Sequence, residues 1–160
     1  MRIREAREDD IEEIRRINEE AFSKIPSVGF DGMWSKKDLE EFLTHDDFRV
    51  LVAEQDGRIV GFTIFRIKNI NRRFRFDKLE NPPIEDWESC AYLMYVAVDP
   101  KYQGQGIGKK LLQAVIEETK RLGKRCLFGE FTTANPAAIK LAEDFGGKEL
   151  CADVWYKFDL

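Results

Sequence analysis

Apolar residues repeat along the chain with two different periods. Ile11, Ile14, Ile17 and Ala21 recur at helical spacing, behind a short strand at Arg2–Ala6. Asp9 is the expected cap of that helix, with Glu12 closing a capping box. Ser35 and Asp38 form the same signature ahead of a second helix, where Trp34 is placed to staple onto Leu39. Phe48–Glu54 and Arg58–Lys68 are rich in β-branched and aromatic residues and meet at Asp56-Gly57, a hairpin signal. Glu88–Val98 reads as a buried strand. After it, Ile107, Leu111, Leu112, Val115, Ile116 and Leu122 line one face of a long helix that Gly123 ends. Cys126–Thr132 is a further strand. Asn135-Pro136 opens a last helix, with Ala138, Ile139, Ala142 and Phe145 on its buried face and Gly146-Gly147 as its stop. Lys148–Ala152 and Val154–Leu160 close the chain as strands. This order predicts an α/β fold: a mixed central β-sheet of about seven strands flanked by four helices.

Two stretches break the pattern. Residues 22–34 carry Pro26, Gly29 and Gly32 together with Phe22, Phe30, Met33 and Trp34, so they read as a loop or broken helix. Its aromatics are equally suited to lining an acceptor pocket and to anchoring the loop. Residues 69–87 are long for a connection and end in Asn81-Pro82-Pro83. Arg72, Arg73 and Arg75, interleaved with Phe74 and Phe76, read first as a solvated charged stretch, and second as a contact for an anion or a second subunit.

Composition narrows the function classes. A chain of 160 residues predicts one domain, 1–160, with a real core. With 43% hydrophobic and 35% charged residues and no long apolar run, no membrane contact is expected. The start MRIREARED is too charged for a signal peptide, which makes the cytoplasm the expected location. A net charge of -4 argues against a general nucleic-acid binder. Cys90, Cys126 and Cys151 show no metal-ligand spacing and are expected as buried thiols. His45 is the sole histidine, which disfavours a Ser-His-Asp triad or a His-rich zinc site, and no metal is expected.

The chemistry concentrates between Leu93 and Leu122. A strand, a turn forced by Asp99-Pro100, Gly104, Gly106 and Gly108 at alternate positions, and then a helix N-terminus form a site for an anion. Glycines let the backbone approach a phosphate, while Lys109 and Lys110 add charge at a helix end that disfavours cations unless an anion compensates. P-loop spacing would require glycine at Gln103 and a hydroxyl at Lys110, and the dinucleotide fingerprint lacks its third glycine. The pattern that fits is Gln-x-x-Gly-x-Gly, written Gln103-Gly104-Gln105-Gly106-Ile107-Gly108.

That run, behind VAVDPKY, resembles the acetyl-CoA signature of the GNAT superfamily of N-acetyltransferases. The element order resembles that fold over nearly the whole chain. In motif it is nearest to ribosomal-protein N-terminal acetyltransferase-like members. The resemblance implies a central strand that splays from its neighbour after a bulge, with the pantetheine arm of acetyl-CoA in the gap. It assigns Val96, Ala97 and Val98 to pairing with that arm. It assigns Gln103, Gly104, Gln105, Gly106, Ile107, Gly108 and Lys109 to the pyrophosphate, and Asn135, otherwise a plain helix cap, to the arm. It implies transfer of an acetyl or other acyl group from the cosubstrate to a primary amine of a small molecule or protein. Relatives often form homodimers, and here the apolar alternation Val154, Tyr156, Phe158 and Leu160 marks the C-terminal strands for that contact.

The match departs from the family in the proton chemistry. Many relatives place a glutamate where this chain has Tyr92, and the usual proton-donating tyrosine is replaced by Ala142. Glu130 occupies a position that is glutamate in the ribosomal-protein enzymes, so it is the expected base or water-positioner, with Glu88 second. Tyr92, Tyr95, Tyr102 and Tyr156 are the hydroxyls open to the acid role. The missing tyrosine keeps a second reading in play, a non-catalytic acyl-CoA-binding regulatory module. A nucleotide-binding protein is third.

Overall fold

The structure is a computed structural model, and it describes residues 1–22, 34–70, 86–131, 135–149 and 155–159. Asp56 and Gly57 both take positive φ, 52° and 73°, the backbone that a tight hairpin turn requires. They fold strand β2 (Phe48–Gln55) back onto β3 (Arg58–Arg66). β1 (Arg2–Glu5) flanks β2, and β4 (Cys90–Val98) runs antiparallel to β3. β5 (Cys126–Glu130) is parallel to β4, a pairing that needs the crossover helix α3 (Ile107–Arg121) between them. β7 (Trp155–Asp159) inserts between β5 and β6 (Lys148–Glu149), completing a seven-stranded sheet of order β1-β2-β3-β4-β5-β7-β6. The other helices are α1 (Ile11–Phe22), α2 (Lys36–Thr44) and α4 (Pro136–Asp144). The expected mixed sheet with four helices is therefore the observed fold.

Each face of the sheet has its own core. α1 and α2 cover one face with Ile11, Ile14, Ile17, Leu39 and Phe42 against Val50, Val52, Phe62 and Ile64. α3 and α4 cover the other, where Leu112, Val115 and Ala142 meet Leu51, Phe65, Leu93 and Leu127. Burying side chains of this size stabilises the fold by roughly 1.5–3 kcal/mol each. β4 contributes to both cores because it is bulged: Leu93 pairs with Phe65 but Tyr95 pairs with Ile64, leaving Met94 as the extra residue. Residues two apart in a regular strand share a face. Here Leu93 packs under α3 and α4, whereas Tyr95 and Ala97 pack under α1 and α2.

Several local expectations need correction. Asp10, not Asp9, organises the start of α1. A short helical turn, Glu8–Asp10, precedes the helix, and the Asp10 carboxylate accepts the Arg7 N–H (2.7 Å) and two bonds from the Arg4 guanidinium (2.7 and 2.9 Å). The Ser35–Asp38 box forms as expected, at 3.2 and 2.8 Å. Trp34 sets its ring edge-on to Phe42 and Tyr95, with centroids 4.8 and 5.2 Å away.

Cys90 and Cys126 are not free thiols but a disulfide. The parallel register places them directly opposite, with Cα atoms 4.6 Å apart, inside the range a disulfide spans. β7 is paired on both sides and buries Phe158 in the core, so at this end of the sheet the edge belongs to β6. Phe30, Met33, Arg72, Phe74, Arg73, Arg75, Phe76 and Cys151 lie outside the described residues.

Candidate active site

Four residues of β4, Cys90–Leu93, pair with β5, and the ladder stops at Leu93 opposite Gly129. A Cβ at Gly129 would lie 3.1 Å from the Leu93 carbonyl oxygen, so glycine permits the close approach just where the strands part. Beyond this point β4 keeps only β3 as a partner among the described residues. The Asp99 N–H donates to the Val60 carbonyl at 3.0 Å, which sets the antiparallel alternation. By that alternation Ala97 turns its backbone groups toward Phe62 of β3, while Val96 and Val98 turn theirs away from β3, into the gap. Of the three residues expected to pair with a pantetheine arm, Val96 and Val98 therefore present backbone groups there, and Ala97 does not. The Gln103 side-chain amide reaches back to the Val98 carbonyl at 3.2 Å.

The glycine loop opens at the head of this gap. Gly104 and Gly106 take φ of 78° and 77°, and among the described residues a Cβ built on either would meet no atom within 4 Å beyond its chain neighbours. Their faces are open, and a side chain at either position would stand in the cradle. Gly106 is the N-cap of α3 and Ile107, buried, is its first residue, so the first-turn N–H groups of the helix face the same space. Gly108 differs: a Cβ there would make ordinary contacts at 3.7 Å to Leu141 and 3.8 Å to Val98. Gln105 is exposed. Lys109, expected as a loop cation, instead ties α3 to α4 through Asp144 at 2.6 Å. Lys109 and then Lys140 hold the Asp144 carboxyl below its ordinary range. Lys110 is exposed beside them.

The proton-handling candidates gather on the α1–α2 face. Tyr92 stacks on Phe128, its partner in the ladder, with ring centroids 5.1 Å apart. Glu130, exposed at the end of β5, follows Phe128 on the same side of the strand. Burial, then the charge of Glu130, then Tyr95 push the Tyr92 hydroxyl above its ordinary pKa, so it stays protonated. Tyr95 is buried, and desolvation raises it likewise. Tyr102 packs with Ile107 and Leu111 on the opposite face of the sheet, away from this group. The backbone of Tyr156 pairs with Gly129.

Glu88 falls away as an alternative base. It lies on the helical turn before β4, separated from Val96 by roughly 20 Å of strand. Asn135 caps α4 by accepting the Ala138 N–H at 3.2 Å. Ala142 is fully buried in the α3–α4 core, so the usual tyrosine is replaced by a residue that only packs. Among the described residues no group of three His, Cys, Asp or Glu side chains is placed to hold a metal ion, and no helix is long and apolar enough to cross a membrane.

Known proteins resemble this chain in sequence and in fold. Over 104 residues, 62% of this chain and 50% of the relative, the sequence is 30% identical to an L-methionine sulfoximine/L-methionine sulfone acetyltransferase of Salmonella typhimurium. A stretch of 59 residues is 44% identical to the [ribosomal protein bS18]-alanine N-acetyltransferase of Escherichia coli, covering 37% of this chain and 40% of that one. The matches thus span half or less of the length of these relatives. A crystal structure of a ribosomal-protein-alanine N-acetyltransferase from Brucella melitensis superposes with a TM-score of 0.79, at 24% identity and with all of both chains covered. The model of the acetyltransferase (GNAT) family matches residues 11–146, and with it the bulged and splayed β4, the glycine loop and α3 take their place: this chain belongs to the GNAT family of acetyltransferases.

Proposed function

We propose that the protein transfers an acetyl group from acetyl-CoA to a primary amine. The observation that carries this reading is the gap beside β4, lined by the backbone groups of Val96 and Val98, which opens onto the bare glycine cradle at the start of α3. An extended arm bearing amides fits the gap as an added strand, and a pyrophosphate fits the cradle. Val96, Val98, Gln103, Gly104, Gly106 and Gly108 would hold the cosubstrate, with Asn135 across the gap on α4. The cosubstrate supplies an activated thioester.

The chain supplies the rest. A primary amine has pKa about 10.4 and must lose a proton before it can attack. Glu130 is the base, directly or through water, because it is the described carboxylate next to Tyr92 on the open end of β5. The Val96 N–H serves as a fixed donor for the developing oxyanion. Tyr92, kept protonated by its surroundings, is the donor that stands in for the hydroxyl lost at Ala142.

The buried Ala142 also favours the second reading, an acyl-CoA-binding module without turnover. Calorimetry with CoA, followed by incubation of a lysate with labelled acetyl-CoA and mass spectrometry of the products, separates the two. CoA binding with labelled amines supports the enzyme; binding without product supports the module; no binding removes both. A cytoplasmic location and a homodimer belong to this proposal. In a reducing cytoplasm the Cys90–Cys126 pair would be held as two adjacent thiols, so the bridge forms only where the surroundings allow it. Light scattering at micromolar concentration tests the dimer.

A further inference from the structure

The glycine cradle has little to hold it in shape from within. Among the described residues nothing outside their chain neighbours packs on the side-chain face of Gly104 or Gly106, Gln105 is exposed, and the one internal tie is the exposed Gln103 amide on the Val98 carbonyl at 3.2 Å. Its geometry is set at its two ends, by buried Ile107 at the start of α3 and by Asp99 at the end of β4. Asp99 is the busier end. Its N–H makes the last rung to Val60, its carbonyl accepts the Tyr102 N–H at 2.8 Å, and its carboxylate accepts the Lys101 N–H at 2.9 Å. Together these bonds fold the chain from strand into the short turn Pro100–Tyr102 that delivers Gln103 to the cradle.

The Asp99 side chain is only 3% exposed, and its second oxygen meets the Arg16 guanidinium at 2.8 Å. Arg16 comes from the middle of α1, where Glu13 and Glu20 brace it at 3.0 and 3.1 Å. A buried carboxylate needs such a partner, and α1 supplies it across the fold. The same helix buries Ile14 and Ile17 in the core that holds Tyr95 and Ala97, under the proton-handling face.

We propose that Arg16 is a positioning residue for the cosubstrate: through Asp99 it holds the turn that aims the glycine cradle, and so makes CoA affinity depend on α1. The inference rests on reading the cradle as the pyrophosphate site. Arg16 touches no cosubstrate itself. Without it, Asp99 is left charged and unpaired, and it escapes toward water, drawing the Lys101 N–H and the turn with it. The cradle then has to be ordered at the moment of binding, which weakens affinity.

The test is CoA titration by calorimetry on the whole chain, with amide hydrogen exchange read at residues 103–108. Arg16→Met is expected to raise Kd for CoA by about tenfold and to speed exchange in the cradle while β2 and β3 amides stay protected. Asp99→Asn keeps an acceptor for the Lys101 N–H and leaves no buried charge, so it covers the case in which Arg16→Met does not fold; it is expected to raise Kd by about three- to tenfold. In the Asp99→Asn background, Arg16→Met should add almost nothing, because the two act as one unit. A folded Arg16→Met or Asp99→Asn with wild-type Kd and wild-type cradle exchange overturns the proposal. Failure of the wild-type protein to bind CoA overturns the reading beneath it instead.

Discussion

Replacing Gly106 by valine should abolish useful CoA binding without unfolding the protein. Two independent features of the structure set the magnitude. The φ of 77° is a backbone state that β-branched residues resist, at a cost of about 1–3 kcal/mol. Among the described residues, chain neighbours aside, nothing lies within 4 Å of the new Cβ, so that strain is the main cost to folding. For a chain of this length, about 2 kcal/mol corresponds to a Tm lower by roughly 4–8 °C, which leaves a folded protein at 25 °C. The loss of affinity is larger. The valine methyls stand where a phosphate would approach the first-turn N–H groups of α3, and each charge-assisted hydrogen bond lost there is worth about 1.5–3 kcal/mol. Losing two of them weakens Kd by at least about 100-fold. Calorimetry with CoA and a thermal melt on the same sample check both numbers. Gly108→Ala is the control: alanine keeps the backbone N–H through which this position would hold the cosubstrate, its Cβ has room beside Leu141 and Val98, and alanine in a helix gains about 0.5–1 kcal/mol over glycine. That variant should bind CoA and melt slightly higher. A folded Gly106→Val with wild-type affinity would refute the placement of the phosphates in the cradle.

Other expectations follow from the same geometry. Glu130→Gln should leave CoA affinity intact and lower turnover by about 10²–10⁴-fold, with the deficit shrinking at high pH, where more amine is already neutral; a near-silent variant assayed with the true acceptor would move the base elsewhere. Tyr92→Phe should lower turnover more than Tyr102→Phe, which lies on the wrong face of the sheet; equal effects would remove Tyr92 from the donor role. Opening the Cys90–Cys126 bridge by paired alanine substitution, across a sequence separation of 36, should cost about 4 kcal/mol and lower Tm by roughly 8–16 °C; an unchanged melt with and without reductant would mean that the pair is not bridged in solution. The Asp10 carboxyl is held below its ordinary range, chiefly by its bonds from Arg4, so its contribution is fully present above about pH 4 and is lost as pH falls through its folded-state value. Asp10→Asn should flatten the acid limb of a stability–pH curve, and an unaltered limb would assign acid sensitivity to other carboxylates.

Features governed by near neighbours were legible in the sequence. Asp56-Gly57 announced its hairpin, Ser35 and Asp38 their box, and Asn135-Pro136 its helix start, because in each case the partners lie within a turn of one another. The alternate glycines before a long amphipathic helix marked the candidate anion loop for the same reason: strand, turn and helix N-terminus are consecutive. Seven strands and four helices could be counted from periodicity, although their boundaries moved by a residue or more and the carboxylate that organises the start of α1 is Asp10 rather than Asp9.

What periodicity leaves open is which elements become neighbours. Cys90 and Cys126 look like two unrelated buried thiols until a parallel register sets them face to face. Likewise, the sequence pattern does not show that Met94 is an extra residue, and this bulge decides that Leu93 and Tyr95 serve opposite cores. The same ladder divides Val96 and Val98 from Ala97, and the parallel β4–β5 pairing puts Glu88 before one end of β4 and Glu130 near Tyr92 at the end of the ladder, where the proposal places the chemistry. Arg16 and Asp99 are 83 residues apart, and Lys109 finds Asp144 rather than the loop, because charges choose partners by distance in space. Local chain stiffness and hydrophobic period thus determined the elements and the glycine loop. Strand order, register and the bulge, which depend on long-range hydrogen bonding and two-sided packing, decided which backbone groups and side chains meet at the candidate active site.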